Sequence, residues 1–230
     1  MYRITAVAVA GALVMGSTAS AQSQGDFAAY VALSLTPVGA LPLMARSTMF
    51  DARPAPTSFT ARYGNQQNLH NFGIGSDFRA GSSGRASITV GLVTCAGCEG
   101  TLMLGADYIA PLVRSAIGTG ATPPSFTVAL NPSVGFAKPM EGEGTALAAS
   151  VGLPIAVAMG DAGSRVAVFV SPGMAFGLIS GSGESESGTR PMLGGGIGLR
   201  FGRMTVSGSA QKIFIDEGDI QFGFGIAVSR

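Results

Sequence analysis

Two cysteines separated by two residues, Cys95 and Cys98, are the side chains of this 230-residue sequence best spaced for covalent chemistry. A four-residue turn brings its first and last residues within about 7 Å, which is compatible with a disulfide bond. A redox-active pair needs a helix start to stabilise a thiolate, and zinc needs two further ligands. The sequence provides neither, so it predicts a disulfide at the tip of a hairpin, with no metal and no cofactor.

The single histidine, His70, is the other candidate for chemistry. A histidine that lies beside an acid or a serine could act as a general base. No Gly-x-Ser-x-Gly nucleophile motif accompanies it. We therefore interpret His70 as a residue without catalytic function and expect that the protein is not an enzyme.

The composition indicates the class of fold that positions these residues. Charged residues make up only 12% of the chain, 35 residues are glycine and the mean hydropathy is +0.41. Such values mean that something other than water faces much of the surface. After the first twenty residues no apolar run reaches the roughly 18–20 residues of a membrane helix. The formal net charge of +1 gives no reason to expect a nucleic-acid partner.

The N-terminus has the three parts of an export signal: a basic Arg3, an apolar run over residues 4–15, and the small residues Ala19-Ser20-Ala21. We predict cleavage after residue 21 and a mature chain that begins at Gln22. Export implies an oxidising compartment, which favours the disulfide.

From Thr57 onward, apolar residues alternate with small or polar ones, the spacing that sends side chains to opposite faces of a strand. Residues 126–136 show this clearly, with Phe, Val, Leu and Pro at even positions. The pattern predicts strands at 57–63, 68–79, 86–94, 101–113, 125–138, 145–159, 165–179, 190–201, 204–215 and 219–229. Short glycine-rich connections require antiparallel neighbours. Residues 22–56 do not fit: residues 27–35 could form a strand or a short helix, and the irregular remainder a periplasmic lead-in or a partial plug.

The face opposite the apolar one carries glycine, alanine and serine, where a water-soluble sheet normally carries charges. Such a face suits a narrow lumen, and the apolar face suits lipid. We therefore predict an all-β fold, a membrane-spanning antiparallel up-and-down β-barrel formed by residues 57–230. About ten strands are expected, with eight or twelve as alternatives.

Four ionisable residues share the lumen-facing parity: Arg62, Asp77, Asp107 and Arg200. Charges at membrane depth are costly unless they face water or each other, so we expect them to pair inside the barrel. They would form either a structural network that closes the interior or a polar constriction that tunes ion passage.

The remaining charges separate between the two rims. Acids are predicted on an outer rim: Glu99, Glu141, Glu143, Glu184, Glu186, Asp216, Glu217 and Asp219. Arginines are predicted on the opposite, periplasmic rim: Arg79, Arg85, Arg114, Arg165 and Arg203. The acidic rim is either a solvated edge or a surface that meets divalent cations and lipopolysaccharide.

The signal peptide, the dyad-repeat strands, the glycine-rich turns and the phenylalanine-rich final strand resemble the small outer-membrane β-barrel proteins of bacteria, the OmpA-like and opacity-type group. The resemblance implies a bacterial outer-membrane location, contact with outer-membrane lipid and lipopolysaccharide, insertion by the barrel-assembly machinery, and a monomer. For function we expect a structural role in the cell envelope. A narrow passive pore is the alternative, followed by an enzyme or adhesin acting at the rim.

Overall fold

A computed structural model describes residues 24–50, 57–81, 83–95, 100–119, 122–140, 144–161, 163–181, 184–215 and 220–230. The predicted signal peptide and the start of the mature chain lie outside these ranges. The helices are α1 (Gln24–Leu35), α2 (Pro37–Ala40) and α3 (Ser47–Phe50). The strands are β1 (Thr57–Gln66), β2 (Leu69–Ala80), β3 (Gly84–Cys95), β4 (Thr101–Ala116), β5 (Ser125–Pro139), β6 (Thr145–Gly152), β7 (Ile155–Gly160), β8 (Ser164–Gly181), β9 (Glu184–Phe201), β10 (Met204–Ile213) and β11 (Ile220–Ser229).

The strands form one closed antiparallel barrel. Sequential neighbours pair along the chain, and β1 pairs with β11 from Ser58↔Ser229 to Asn65↔Phe222, which joins the two ends of the sheet. Strands β6 and β7 both lie between β5 and β8, so they share one of ten positions in the wall. The predicted all-β barrel of about ten strands is confirmed.

The break between β6 and β7 is local. The pairs Asn131↔Gly152 and Val128↔Ile155 have the same offset, so no residue is inserted between the two halves. Pro154 lies in the gap and has no N–H to donate to the ladder. The ladder is carried past the break by hydrogen bonds from the Leu153 amide to the Pro172 carbonyl and from the Ala129 amide to the Pro154 carbonyl.

Because the number of wall positions is even, the start of β1 and the end of β11 lie at the same rim of the barrel. The terminal rim contains the start of β1, the end of β11 and the connections 81–83, 117–124, 161–163 and 202–203. The loop rim contains the connections 67–68, 96–100, 140–144, 182–183 and 214–219.

The outer face of the wall is apolar, as the period-two pattern predicts. In β11, Phe222 is 52% and Phe224 63% exposed, whereas their inward neighbours Gln221, Gly223 and Gly225 are buried. One residue departs from the predicted pattern. Val128 is only 5% exposed, although the alternation puts it on the outer face. It pairs with Val113 beside a register shift between Pro111 and Val113 of β4, and this irregularity interrupts the alternation.

Residues 24–50, here called the plug, lie inside the barrel. For residues 27–35 the sequence left open a strand or a helix, and the structure has the helix α1, followed by the short α2 and α3. Core side chains of this segment pack on inward residues of the wall. None of the described helices has the length and apolarity to cross a bilayer by itself. The plug runs within the lumen, because its core side chains pack on the inward face of the surrounding sheet.

Candidate functional site: the plugged lumen

The inner wall is shaped around the plug by glycines. A Cβ on Gly64 would lie 2.1 Å from the Ala40 carbonyl oxygen, and one on Gly198 would lie 2.2 Å from Ala45 Cβ. Further inward glycines that leave room for plug atoms are Gly73, Gly105, Gly135, Gly177, Gly223 and Gly225. Since a bulky side chain at these positions would overlap the plug, the wall is built for an occupied lumen.

The plug crosses the lumen in a defined direction. Its upper half, residues 24–41, packs near the loop rim, where Leu33 shares one buried cluster with Ile213 and Ala32 shares another with Val93. Its lower half, residues 42–50, packs near the terminal rim, where Met49 and Phe50 join a cluster that includes Ala158 and Ala167. Residues 29–46, together with Met49 and Phe50, are buried or half-buried.

Arg46 is the electrostatic centre of the lower half. Its guanidinium donates to Asp77 Oδ1 at 3.0 Å and to Asp107 Oδ2 at 2.7 Å, and the side chains of Arg46 and Asp77 are only 3% and 4% exposed. One plug cation thus bridges carboxylates on β2 and β4. Charge-assisted hydrogen bonds of this kind fix geometry as well as charge.

Two wall arginines extend this network. Arg62 lies 4.0 Å from Asp77 Oδ1 and donates to Ser87 Oγ at 3.3 Å. Arg85, which the sequence analysis placed on the periplasmic rim, is 0% exposed and donates to Ser58 Oγ and to the Asp77 carbonyl. The predicted inward placement of Arg62, Asp77 and Asp107 therefore corresponds to a pairing network with a plug residue at its centre.

Arg200 lies apart from these pairs. It is half-buried on β9, and its guanidinium carbon is 5.8 Å from the centre of the Phe50 ring. A guanidinium at this distance from an aromatic face makes a cation–π contact. Arg200 thus also meets the plug, but through the last residue of α3.

The upper half is held by a chain of amides. Gln211 donates to Gln221, and Gln221 donates to Gln66 Oε1 at 2.6 Å. The Gln66 side-chain amide then donates to the Tyr30 hydroxyl of α1. Asn71 of β2 donates to the Ala40 carbonyl at 3.1 Å and so supports the end of α2. These contacts link the plug to the wall without charge.

Two small cavities lie among the described residues inside the barrel. A cavity of about 50 Å³ lies beside Arg46 and Asp107, lined by serines of β5, β6 and β8, and a second of about 10 Å³ lies beside Met44. A single water occupies roughly 10–15 Å³ by this measure, so the larger cavity has room for a few waters. Neither cavity is large enough for a passing solute.

Sequence reasoning missed the plug residues Arg46 and Tyr30, and it also missed the three wall glutamines. The segment before Thr57 has no sustained period, and glutamine has no preferred place in a strand pattern. One signal was present. Glycines repeat at inward positions in most strands, and a wall without side chains indicates that backbone or side chains of another segment approach it.

The other predicted sites lie at the rims. Cys95 is the half-buried last residue of β3 and is disulfide-bonded, whereas Cys98 lies outside the described residues. Glu184 and Glu186 begin β9 at the loop rim. Outside the described residues are Glu99, Glu141, Glu143, Asp216, Glu217 and Asp219. His70 is exposed on the outer face, where its Nδ1 lies 2.8 Å from the Tyr63 hydroxyl.

The arginines predicted for the periplasmic rim all lie on strands or turns that end at the terminal rim. Arg79 and Arg203 are exposed. Arg114 and Arg165 are half-buried, and they donate to Thr127 Oγ1 and Ser125 Oγ respectively. Arg85 alone of this set turns fully inward.

Comparison with known proteins gives matches by structure only. No family model and no curated protein sequence matches the chain. The N-terminal β-barrel domain of Pseudomonas aeruginosa OprF matches with a TM-score of 0.35 and 11% identity, covering 76% of this chain and 96% of that one.

Two further solved structures match over a similar length. The outer-membrane enzyme PagL has a TM-score of 0.39 and 15% identity, covering 75% of this chain and 99% of its own. The attachment invasion locus protein Ail of Yersinia pestis has a TM-score of 0.31 and 11% identity, with coverages of 75% and 93%. Because a closed barrel leaves no free sheet edge and its outer face here is apolar, the chain is a β-barrel of the outer-membrane type, with an occupied lumen.

Proposed function

We propose that this chain is a permanently plugged, non-conducting barrel with a structural role in the bacterial outer membrane. The observation that carries the proposal is the fit between plug and wall. Glycines on β1, β2, β4, β5, β8, β9 and β11 leave space that only the plug fills. A segment that left the lumen routinely would not need a wall shaped to its backbone.

Energetics support a permanent plug. Withdrawing Arg46 would leave the buried carboxylates of Asp77 and Asp107 without their closest cation. Breaking a buried ion pair from one side costs about 3–5 kcal/mol. The wall contacts of α1 would be lost in addition, so the plugged state is strongly favoured over an open lumen.

The surface supports the proposed location. Exposed Phe, Ile, Leu and Val side chains surround the barrel, including Phe59, Ile74, Leu104, Val134 and Phe224. A face of this kind is favourable in hydrocarbon and unfavourable in water. Contact with outer-membrane lipid, insertion by the barrel-assembly machinery and cation-bridged contact of the loop rim with lipopolysaccharide are part of the proposal.

Planar-bilayer recording tests the proposal. The complete mature barrel should insert without producing stable current steps, because the plug blocks the lumen. Removing residues 24–50 together with Asp77→Asn and Asp107→Asn should open a conducting lumen without leaving unpaired buried carboxylates. Stable ohmic steps from the unmodified protein would overturn the proposal and favour the passive pore. The recording from the unmodified protein decides between a closed barrel and a pore even if the deletion variant does not fold.

A further inference from the structure

The direction of the plug gives the molecule an unusual topology. Helix α1 lies at the loop rim: Tyr30 accepts a hydrogen bond from Gln66, the last residue of β1. Leu35 packs against the same buried cluster as Leu69 and Ile179, which lie near the loop-rim ends of β2 and β8. Phe50, 27 residues into the described chain, lies beside Arg200 near the other end of the barrel. The chain therefore runs through the lumen from the loop rim to the terminal rim.

The wall that surrounds this segment is a closed ring of hydrogen-bonded strands. β1 follows the plug and begins at the terminal rim, and β11 ends at the same rim. The N-terminal end of α1 and the C-terminal end of β11 consequently lie at opposite ends of the barrel. In a barrel that spans a membrane, those ends face different compartments.

We propose that the protein presents the N-terminal end of its plug at the cell surface, while its C-terminus faces the periplasm. The orientation is the one that the sequence analysis assigns, with the arginine-bearing terminal rim in the periplasm, and six of the nine connection lengths agree with it. Of the four terminal-rim connections, 81–83, 161–163 and 202–203 have two or three residues and 117–124 has eight. Of the five loop-rim connections, 96–100, 140–144 and 214–219 have five or six residues, and 67–68 and 182–183 have two. Outer-membrane barrels have short periplasmic turns and longer extracellular loops.

Surface labelling tests the topology. A single cysteine is inserted directly before Gln24, in a Cys95→Ser, Cys98→Ser background that removes the native thiols. Intact cells are treated with a membrane-impermeant maleimide. We expect labelling of intact cells at this position. The matched control, a cysteine added after Arg230 in the same background, should label only after the outer membrane is permeabilised.

Labelling is measured only on the heat-modifiable, folded band, so unfolded protein does not contribute. A short epitope inserted at the same two positions and detected by antibody gives a second pair of variants. An N-terminal probe that stays protected in intact cells but reacts after permeabilisation would overturn the proposal. The result is independent of the conductance test, because a conducting barrel could still thread its N-terminus, and a closed one need not.

Discussion

The two halves of the plug are held in the lumen by different physics. The lower half depends on charge: Arg46 bridges Asp77 and Asp107 from inside the wall. The upper half depends on close packing of α1 and α2 and on uncharged hydrogen bonds, including those of Tyr30 with Gln66 and of Asn71 with Ala40. The ion pairs of Arg46 thus fix the position of the plug at one point in the lumen, whereas shape complementarity fixes it along the rest of its length.

The largest effect should follow from removing the charge of the lower half. Arg46→Ala leaves two buried carboxylates without their closest cation and should lower the free energy of unfolding by about 3–5 kcal/mol. Denaturant titration of the barrel in lipid vesicles measures this. Arg203→Ala, in an exposed turn, is the control and should change the free energy by less than about 0.5 kcal/mol.

A rescue variant separates charge from packing. Arg46→Met combined with Asp107→Asn removes one cation and one acid, while Asp77 keeps Arg62 at 4.0 Å. This variant should recover part of the loss, because Asp77 still faces a cation and Asp107 no longer carries a charge. If Arg46→Ala proved as stable as the unmodified protein, the ion pairs would not hold the lower half in place.

An intermediate effect should follow from filling space beside the upper half. Gly64→Ala puts a Cβ against the Ala40 carbonyl oxygen and should destabilise the barrel by about 1–3 kcal/mol through overpacking. Gly208→Ala is the matched control, because its Cβ would meet only Phe224 atoms at 3.8 Å or more. That control should be neutral or slightly stabilising, since alanine reduces the freedom of the unfolded chain. Equal effects of the two substitutions in thermal unfolding would argue against a wall fitted to the plug.

The smallest effect should follow from a single uncharged hydrogen bond in the upper half. Tyr30→Phe removes the hydroxyl that accepts from Gln66 and should cost about 1 kcal/mol. Tyr63→Phe removes a hydroxyl that meets His70 on the outer face, where no plug contact is lost. Hydrogen exchange of α1 should rise in the first variant and stay unchanged in the second. A rise in both would mean that Tyr30 has no particular role in holding the helix.

The wall was predictable from the sequence, whereas the segment before Thr57 could only be left open between a periplasmic lead-in and a partial plug, and both outcomes have the same physical reason. Each strand records its two environments in the alternation of its side chains, as Phe222 and Phe224 alternate with Gly223 and Gly225. The inward placement of Arg62, Asp77 and Asp107 followed from this parity alone. The plug meets wall on every side, so its residues have no alternation to display. Arg46 therefore carried no signal of its own, because the four predicted lumen residues, two acids and two arginines, already balanced in charge without it.

The glycine lining ties the register of the strands to the presence of the plug. A strand shifted by one residue exchanges its two faces. In β11 such a shift would turn Phe222 and Phe224 into the lumen, where Pro42 and Met44 lie within 3.1 Å of the space beside Gly223 and Gly225. The lumen has no volume for two aromatic rings there. The plug thus selects the strand register. A barrel in which β11 is shifted by one residue could not close around the plug.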